Sequence, residues 1–265
     1  MNGELESQYN LSAWARLMLA DFDARRPWES FVPPEGLTLE QAYALQDEVS
    51  RLRERRGERV IGYKVGCTSR VIQAQLGTDE PIFGRVFDTG CFPAGSRLSH
   101  ARFANLAVEG ELAIRLSRDI SCHPLPDEAY AEAVGFVFPV IELHHFVLPD
   151  GGPPLAALVA SGGIHAGLVP AELETPSPGR MPAVVELDVL IDGVLAGTTT
   201  EPWTMGGPAA TLRWLTGHLA EWGETLHAGQ VVLTGSALPL FPVGAGSRVE
   251  AEARPLGRAF AEVGP

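Results

Sequence analysis

The apolar spacing of this chain changes character once, near Val60, and that change constrains its fold more than any other feature. Before it, apolar residues recur at the 3.6-residue interval of a helix that buries one face. After it, short apolar segments alternate with polar residues and are punctuated by glycine and proline, the pattern of strands. This switch from helical to strand period implies an α+β chain with a helical N-terminal part. Residues 1–59 are expected to form a helical N-terminal cap and residues 60–265 a β-rich domain.

In the first part, a helix is expected from about Leu11 to Arg25, and Pro27, Pro33 and Pro34 interrupt the chain after it. A second helix starts at Thr38, where Gln41 three residues on completes a capping box. Its stripe is Leu39, Ala42, Leu45, Val49 and Leu52, and Gly57 suits its stop. In the second part four stretches read as strands. Leu106 to Leu116 alternates, Val184 to Ile191 alternates into an Asp192-Gly193 turn, and Gln230 to Thr234 with Arg248 to Ala253 close the pattern. Pro208 to Trp222 is a helix with Leu212, Leu215 and Leu219 on one stripe and Gly223 as its stop. Pro149 to Pro154 and Pro170 to Pro182 read as loops.

The 265 residues carry a net charge of -13, which repels nucleic acid and anionic membranes. An acidic enzyme acting on an anionic substrate must gather positive charge locally, and a bound cation does this most simply. Cys67, Cys91 and Cys122 are odd in number and form no CxxC pair, so a disulfide framework and a thiolate zinc site are not indicated. No apolar run is long enough to span a membrane and the N-terminus lacks the pattern of a signal peptide, so a cytoplasmic location is expected.

Carboxylates supply the chemistry. In the strand from Leu106 to Leu116, Glu109 and Glu111 share one face, and Leu106, Val108, Leu112, Ile114 and Leu116 take the other. Like charges two residues apart repel, Gly110 between them weakens the strand, and a divalent cation would offset both. Glu142 lies in the apolar run Phe138 to Phe146, where an unpaired charge is costly, and is the natural third ligand. Three carboxylates suit a hard cation, Mg²⁺ or Mn²⁺, which a 2-oxo acid can chelate. A Glu-x-Glu pair on the wet face of a strand is also an ordinary solvated pattern, and spacing leaves both readings open. Lys64, flanked by Gly62 and Gly66, suits binding a carboxylate or moving a proton, or else the stem of an edge-strand lysine. His144 and His145 read as structural histidines, only His144 sharing a face with Glu142. His100, His123, His165, His218 and His227 show no metal spacing, and no nucleotide fingerprint is present.

Taken in order, Ile61-Gly-Tyr-Lys-Val-Gly-Cys-Thr-Ser69, Gln75-Leu-Gly-Thr-Asp-Glu-Pro-Ile-Phe-Gly84, Glu109-Gly-Glu-Leu-Ala113, Glu142 and Gly229-Gln-Val-Val-Leu-Thr-Gly235 resemble the hydratase and decarboxylase branch of the fumarylacetoacetate hydrolase superfamily. The resemblance covers most of the chain. It implies a helical N-terminal part followed by the mixed β-roll of that superfamily's C-terminal domain type, with residues 60–265 as the catalytic domain. It implies Mg²⁺ or Mn²⁺ on Glu109, Glu111 and Glu142, Lys64 as the catalytic proton-transfer or substrate-binding residue, and Ile82, Ser161 and Thr234 around the substrate. The implied activity is that of a lyase on a small 2-oxo acid, hydratase or decarboxylase, through a metal-bound enolate or dienolate, late in aromatic catabolism. A homo-oligomer is implied as well.

Three departures matter. Hydratases of the branch carry aspartate where this chain has Ile82, and an aliphatic residue there tilts the expectation towards decarboxylation. The usual Asp-Asn-Ala-Ser stretch has become Ser161-Gly-Gly-Ile164, and Gly-His-Pro has become Gly206-Gly-Pro208. The alternatives are an acylpyruvate-type C–C hydrolase and a non-catalytic paralogue serving as an oligomer scaffold.

Overall fold

The structure is a computed structural model that describes residues 2–26, 36–120, 123–146, 154–172 and 185–265. The three interrupting prolines, Cys122 and most of the two expected loops lie outside those residues.

Two helices come first, α1 (Asn2–Ala24) and α2 (Leu39–Arg55). The capping box is formed: the Gln41 N–H donates to Thr38 Oγ1 at 3.2 Å, and the Thr38 N–H donates back to Gln41 Oε1 at 3.1 Å. Ala42 and Leu45 are fully buried, whereas Leu39 at the head of the stripe stays exposed. Gly57 follows the helix at φ +98°, the left-handed conformation expected of its stop.

The remaining elements are β1 (Val60–Gly66), α3 (Arg70–Leu76), β2 (Ile82–Phe87), β3 (Arg97–Ser99), β4 (Leu106–Leu116), α4 (Asp127–Ala133), β5 (Val134–His145), α5 (Leu155–Ala160), β6 (His165–Pro170), β7 (Glu186–Ile191), β8 (Val194–Thr199), α6 (Pro208–Glu221), β9 (Val231–Leu233), β10 (Phe241–Pro242), β11 (Arg248–Arg254) and β12 (Gly257–Gly264). One sheet runs β2-β1-β9-β4-β5-β6, with β10 added on β4, and a second runs β3-β12-β11-β7-β8. The two pack face to face through Leu106, Val108, Ile141 and Leu143 on one side and Val249, Ala251, Ala259 and Ala261 on the other. Further along, Leu112 and Ile114 of β4 meet Leu212, Leu215 and Leu219 of α6. The helices α1, α2 and α5 form a separate layer with Ile82 and Ile164.

Gln46 joins this layer to the sheet. Its buried amide donates to Phe83 O at 3.0 Å and to Val159 O at 2.7 Å, so α2, β2 and α5 are pinned by one side chain. Among the described residues no helix is long and apolar enough to cross a membrane.

Gly110 has a different role from the one its spacing suggested. It sits on the apolar face of β4, and a Cβ there would lie 2.3 Å from Val189 Cγ2 and 3.4 Å from the Ala251 Cβ. Its missing side chain lets the second sheet approach directly behind the two glutamates. Gly110→Ala is therefore expected to cost about 1–3 kcal/mol by overpacking. Gly244→Ala, whose added Cβ meets nothing within 4 Å, should stay within about 0.5 kcal/mol. Urea midpoints at unchanged slope would measure both, and equal midpoints for the two variants would contradict the packing account.

Candidate active site

β4 and β5 pair antiparallel in a register that sets Glu109 directly opposite Glu142. Two carboxylates facing each other across a ladder repel, and in an ordinary sheet the pair would be selected against. The Glu142 side is dry and the Glu109 side is mostly covered. Glu111 and Glu142 are each 1% exposed, and Glu109 keeps 22% of its side chain open. The alternation read from the sequence is correct, but the face it assigns to the glutamates is covered by other elements and is no solvated surface.

Three cationic or imidazole side chains converge on Glu142. Lys64 on β1 places Nζ 3.4 Å from Glu142 Oε1, His165 at the start of β6 donates from Nδ1 to the same oxygen at 2.7 Å, and His144 Nε2 lies 3.6 Å from Oε2. His144 Nε2 is also 3.2 Å from Glu109 Oε2. Burial raises the Glu142 pKa, but Lys64 and the two histidines outweigh it and hold this carboxyl well below the usual range. Glu111 goes the other way: burial, then the charges of Glu142 and Glu109, hold it well above. Burial pulls the Lys64 ammonium down, and Glu142, Glu109 and Glu111 more than reverse that, so Lys64 stays charged.

The backbone makes room for this arrangement at two glycines. Gly163 is at φ +71°, and a Cβ on it would fall 2.7 Å from Lys64 Nζ. A Cβ on Gly84 of β2 would fall 2.4 Å from the Gly162 carbonyl oxygen. The altered stretch Ser161-Gly-Gly-Ile164 is therefore a tight turn pressed against β2 and the Lys64 head group.

Of the residues named from the sequence, Lys64, Glu109, Glu111 and Glu142 come together. Glu111 Oε2 accepts from the Gly235 N–H at 2.6 Å, while its Oε1 is buried without a partner among the described residues. Ile82 is buried, near the same lysine: it lies 3.6 Å from the Cβ that Gly66 lacks, and Lys64 Nζ lies 3.0 Å from it. The hydroxyls of Ser161 and Thr234 donate to backbone carbonyls instead, Leu158 O at 2.9 Å in the preceding turn and Leu112 O of β4 at 2.8 Å. Asp79 and Glu80 are exposed, Glu80 lying 3.8 Å from His218, so neither fills the position that Ile82 leaves without a carboxylate.

His144 and His165 were not expected here. For His144 the signal was present, since it shares a face with Glu142. For His165 the signal lies in the pairing of β5 with β6, which sets it opposite His144 and has no local trace. The donor atoms of Glu109, Glu142 and His144 lie within 4.8 Å of one another. This set, with the orphaned buried oxygen of Glu111, fits a divalent cation.

His145 faces away from the acids. Its Nδ1 accepts from the Ala104 N–H at 3.0 Å, and Phe22 meets it edge to face at 4.8 Å. Burial, then Arg25, lowers its pKa from 6.5 to about 4. The unfolded chain therefore binds this proton more readily than the native one. The stability contributed by keeping His145 neutral is complete above about pH 6.5 and is lost as pH falls towards about 4, by roughly 2 kcal/mol at pH 5. Urea unfolding at pH 7.5 and 5.0 is expected to show this loss in the wild type, and His145→Asn should lose less over the same interval. Parallel losses in the two proteins would contradict the assignment.

Residues 71–264 match the sequence profile of the family described as fumarylacetoacetate (FAA) hydrolase, C-terminal. The chain is 31% identical over 216 residues to 2-hydroxyhexa-2,4-dienoate hydratase of Comamonas testosteroni, covering 81% of this chain and 82% of that protein. It is 27% identical over 223 residues to 4-oxalocrotonate decarboxylase of Pseudomonas sp. strain CF600, covering 80% and 81%. Among solved structures, 4-oxalocrotonate decarboxylase from Pseudomonas putida G7, complexed with magnesium and adipate, superposes with a TM-score of 0.84 over 97% of this chain and 98% of that one, at 21% identity. That likeness is one of fold, and it includes the helical N-terminal part together with both sheets. The chain belongs to the fumarylacetoacetate hydrolase family.

Proposed function

We infer that this chain is a divalent-metal-dependent lyase of the hydratase and decarboxylase kind, acting on a small 2-oxo acid. The observation that carries the reading is the buried meeting of Glu109, Glu111 and Glu142 with Lys64, an arrangement that costs stability in a protein with no ion to bind. Mg²⁺ or Mn²⁺ held there would polarise the keto oxygen of the substrate and stabilise the negative charge that develops on it. The protein's own groups do the rest. Lys64, kept charged by three carboxylates, attracts the substrate carboxylate and holds a proton beside the reacting carbons. The burial of Lys64, Glu111 and Glu142 keeps most water away from them.

Ile82 favours decarboxylation. It has no proton to give, it is buried beside Lys64, and the nearby carboxylates Asp79 and Glu80 point elsewhere. Loss of CO₂ needs charge stabilisation on the keto side and one proton returned to carbon, and Lys64 suits that second step. Hydration keeps support from the 31% identity to a dienoate hydratase. Cytoplasmic location and assembly into a homo-oligomer belong to the same proposal.

The deciding experiment is an NMR time course with Mg²⁺ or Mn²⁺, offering 2-hydroxypenta-2,4-dienoate and 2-oxohex-3-enedioate separately, with chelator as control. CO₂ loss that stops with chelator is the expected result. Chelator-sensitive hydration would show that another group has taken over from the missing aspartate. Silence with both substrates would overturn the lyase reading.

A further inference from the structure

We infer that His144 is a nitrogen ligand to the cation, beside Glu109 and Glu142, so that this site prefers imidazole-binding divalent ions such as Mn²⁺, Co²⁺ or Zn²⁺ over Mg²⁺. The inference rests on the metal-dependent reading above and names which ion that site is built for.

Geometry is the first support. Two ligand atoms each about 2.1 Å from one ion, at tetrahedral or octahedral angles, are themselves roughly 3.0–3.4 Å apart. His144 Nε2 lies 3.2 Å from Glu109 Oε2, within that spacing, and 3.6 Å from Glu142 Oε2, a few tenths of an ångström beyond it. The register supplies the reason. Glu109 stands opposite Glu142, and His144 follows two residues after Glu142 on the same strand, so its ring projects from the same face.

Partner accounting is the second support. The His144 side chain is 2% exposed and its only polar partners among the described residues are the two carboxylates. Its Nδ1 has no partner among the described residues. Its Nε2 is the nitrogen aimed at the acids, whereas His145 turns its Nδ1 to the Ala104 N–H. His165 also has a buried nitrogen without a partner among the described residues, Nε2, but its Nδ1–H donates to Glu142 at 2.7 Å and orients that carboxylate from outside the ligand set.

Chemistry then sets the preference. Mg²⁺ takes oxygen donors and dehydrates reluctantly, whereas an imidazole nitrogen suits the first-row transition ions and zinc. Replacing an oxygen donor by nitrogen in a mixed site therefore moves selectivity away from Mg²⁺ without closing the site to it.

Two measurements test this, neither of which needs turnover. In the first, the wild-type protein is loaded with Mn²⁺ and pulsed EPR looks for coupling to a directly bound ¹⁴N. The coupling is expected in the wild type, is expected to persist in His165→Gln, and should vanish in His144→Val. In the second, titration calorimetry gives Co²⁺ and Mg²⁺ affinities for the wild type and His144→Val. The variant should lose on the order of 10–100-fold in Co²⁺ affinity, the size of effect known for groups around a metal, with a much smaller change for Mg²⁺.

Absence of ¹⁴N coupling in the Mn²⁺-loaded wild type overturns the inference, and this holds even if His144→Val fails to fold. Equal weakening of both ions by His144→Val also overturns it, because a merely electrostatic or packing role would not tell the two apart. The lyase reading fails separately. Were Mn²⁺ to bind and support pyruvate binding with no ¹⁴N coupling, that reading would stand and the ligand assignment would fall, whereas a wild type that binds neither ion would sink both.

Discussion

Lys64→Met is expected to remove about 3–5 kcal/mol of folding stability in the presence of chelator and to slow turnover by about 10²–10⁴-fold. The stability loss follows from burial. The Lys64 and Glu142 side chains are 6% and 2% exposed, and removing one partner leaves the other charge without its main compensation in a medium that cannot solvate it. The His165 bond to Glu142 survives the substitution and places the loss towards the lower end of that range. Lys64→Met combined with Glu142→Gln should recover most of the stability and none of the activity, since a neutral pair is tolerated in the interior and an absent proton donor is not replaced. Lys64→Arg is not expected to rescue either property. The Cβ positions that Gly66 and Gly163 leave open lie 3.0 and 2.7 Å from Nζ, so the space fits an ammonium and excludes a planar guanidinium. Urea unfolding and the NMR assay read the two effects separately. A stability loss below about 1 kcal/mol, the size of an exposed ion pair, would mean that the lysine is solvated and that the buried site is misdescribed.

Much of this arrangement was legible in the sequence because it is written locally. The Thr38 and Gln41 box, the stripe of α6 between Pro208 and Gly223, and the alternation of β4 each depend on residues within a few positions of one another, and each is found where its spacing puts it. The period change near Val60 is also found, β1 beginning at that residue. What could not be read is long-range. That Glu109 faces Glu142 depends on which residue of β5 pairs with which of β4, and the apolar run around Glu142, interrupted by Pro139, carries no period that would fix it. The same holds for His165, brought to Glu142 by the pairing of β6 and by the close approach of Gly162 to Gly84. Gly110 looked like a weakness of the strand because its neighbour Val189, 79 positions along the chain, belongs to the other sheet. The resemblance to a known family supplied the grouping of Lys64, Glu109, Glu111 and Glu142 that spacing left undecided. It offered nothing on His144, which is not among the residues it implied for the site.

Glu109→Ala should separate the cost of the acid cluster from its use, because the two have opposite signs in one variant. Without metal, Glu109 is a like charge set opposite Glu142 and two residues from Glu111, and it is the most exposed of the three. Deleting it relieves repulsion and opens no deep cavity, so with chelator the variant is expected to be as stable as the wild type or more so. With a saturating divalent ion the order reverses. An ion that binds only the native state stabilises it by about 2.7 kcal/mol at a hundred times its dissociation constant, and the variant, short of a ligand, should forgo most of that gain. Thermal or urea unfolding with chelator and with Mn²⁺ would show the two stability orders crossing. A destabilised variant under both conditions would mean that Glu109 matters for packing alone, and a variant stabilised by Mn²⁺ as fully as the wild type would remove Glu109 from the ligand set. A crossing would indicate that the chain tolerates three carboxylates and a lysine in its interior because an ion is meant to join them.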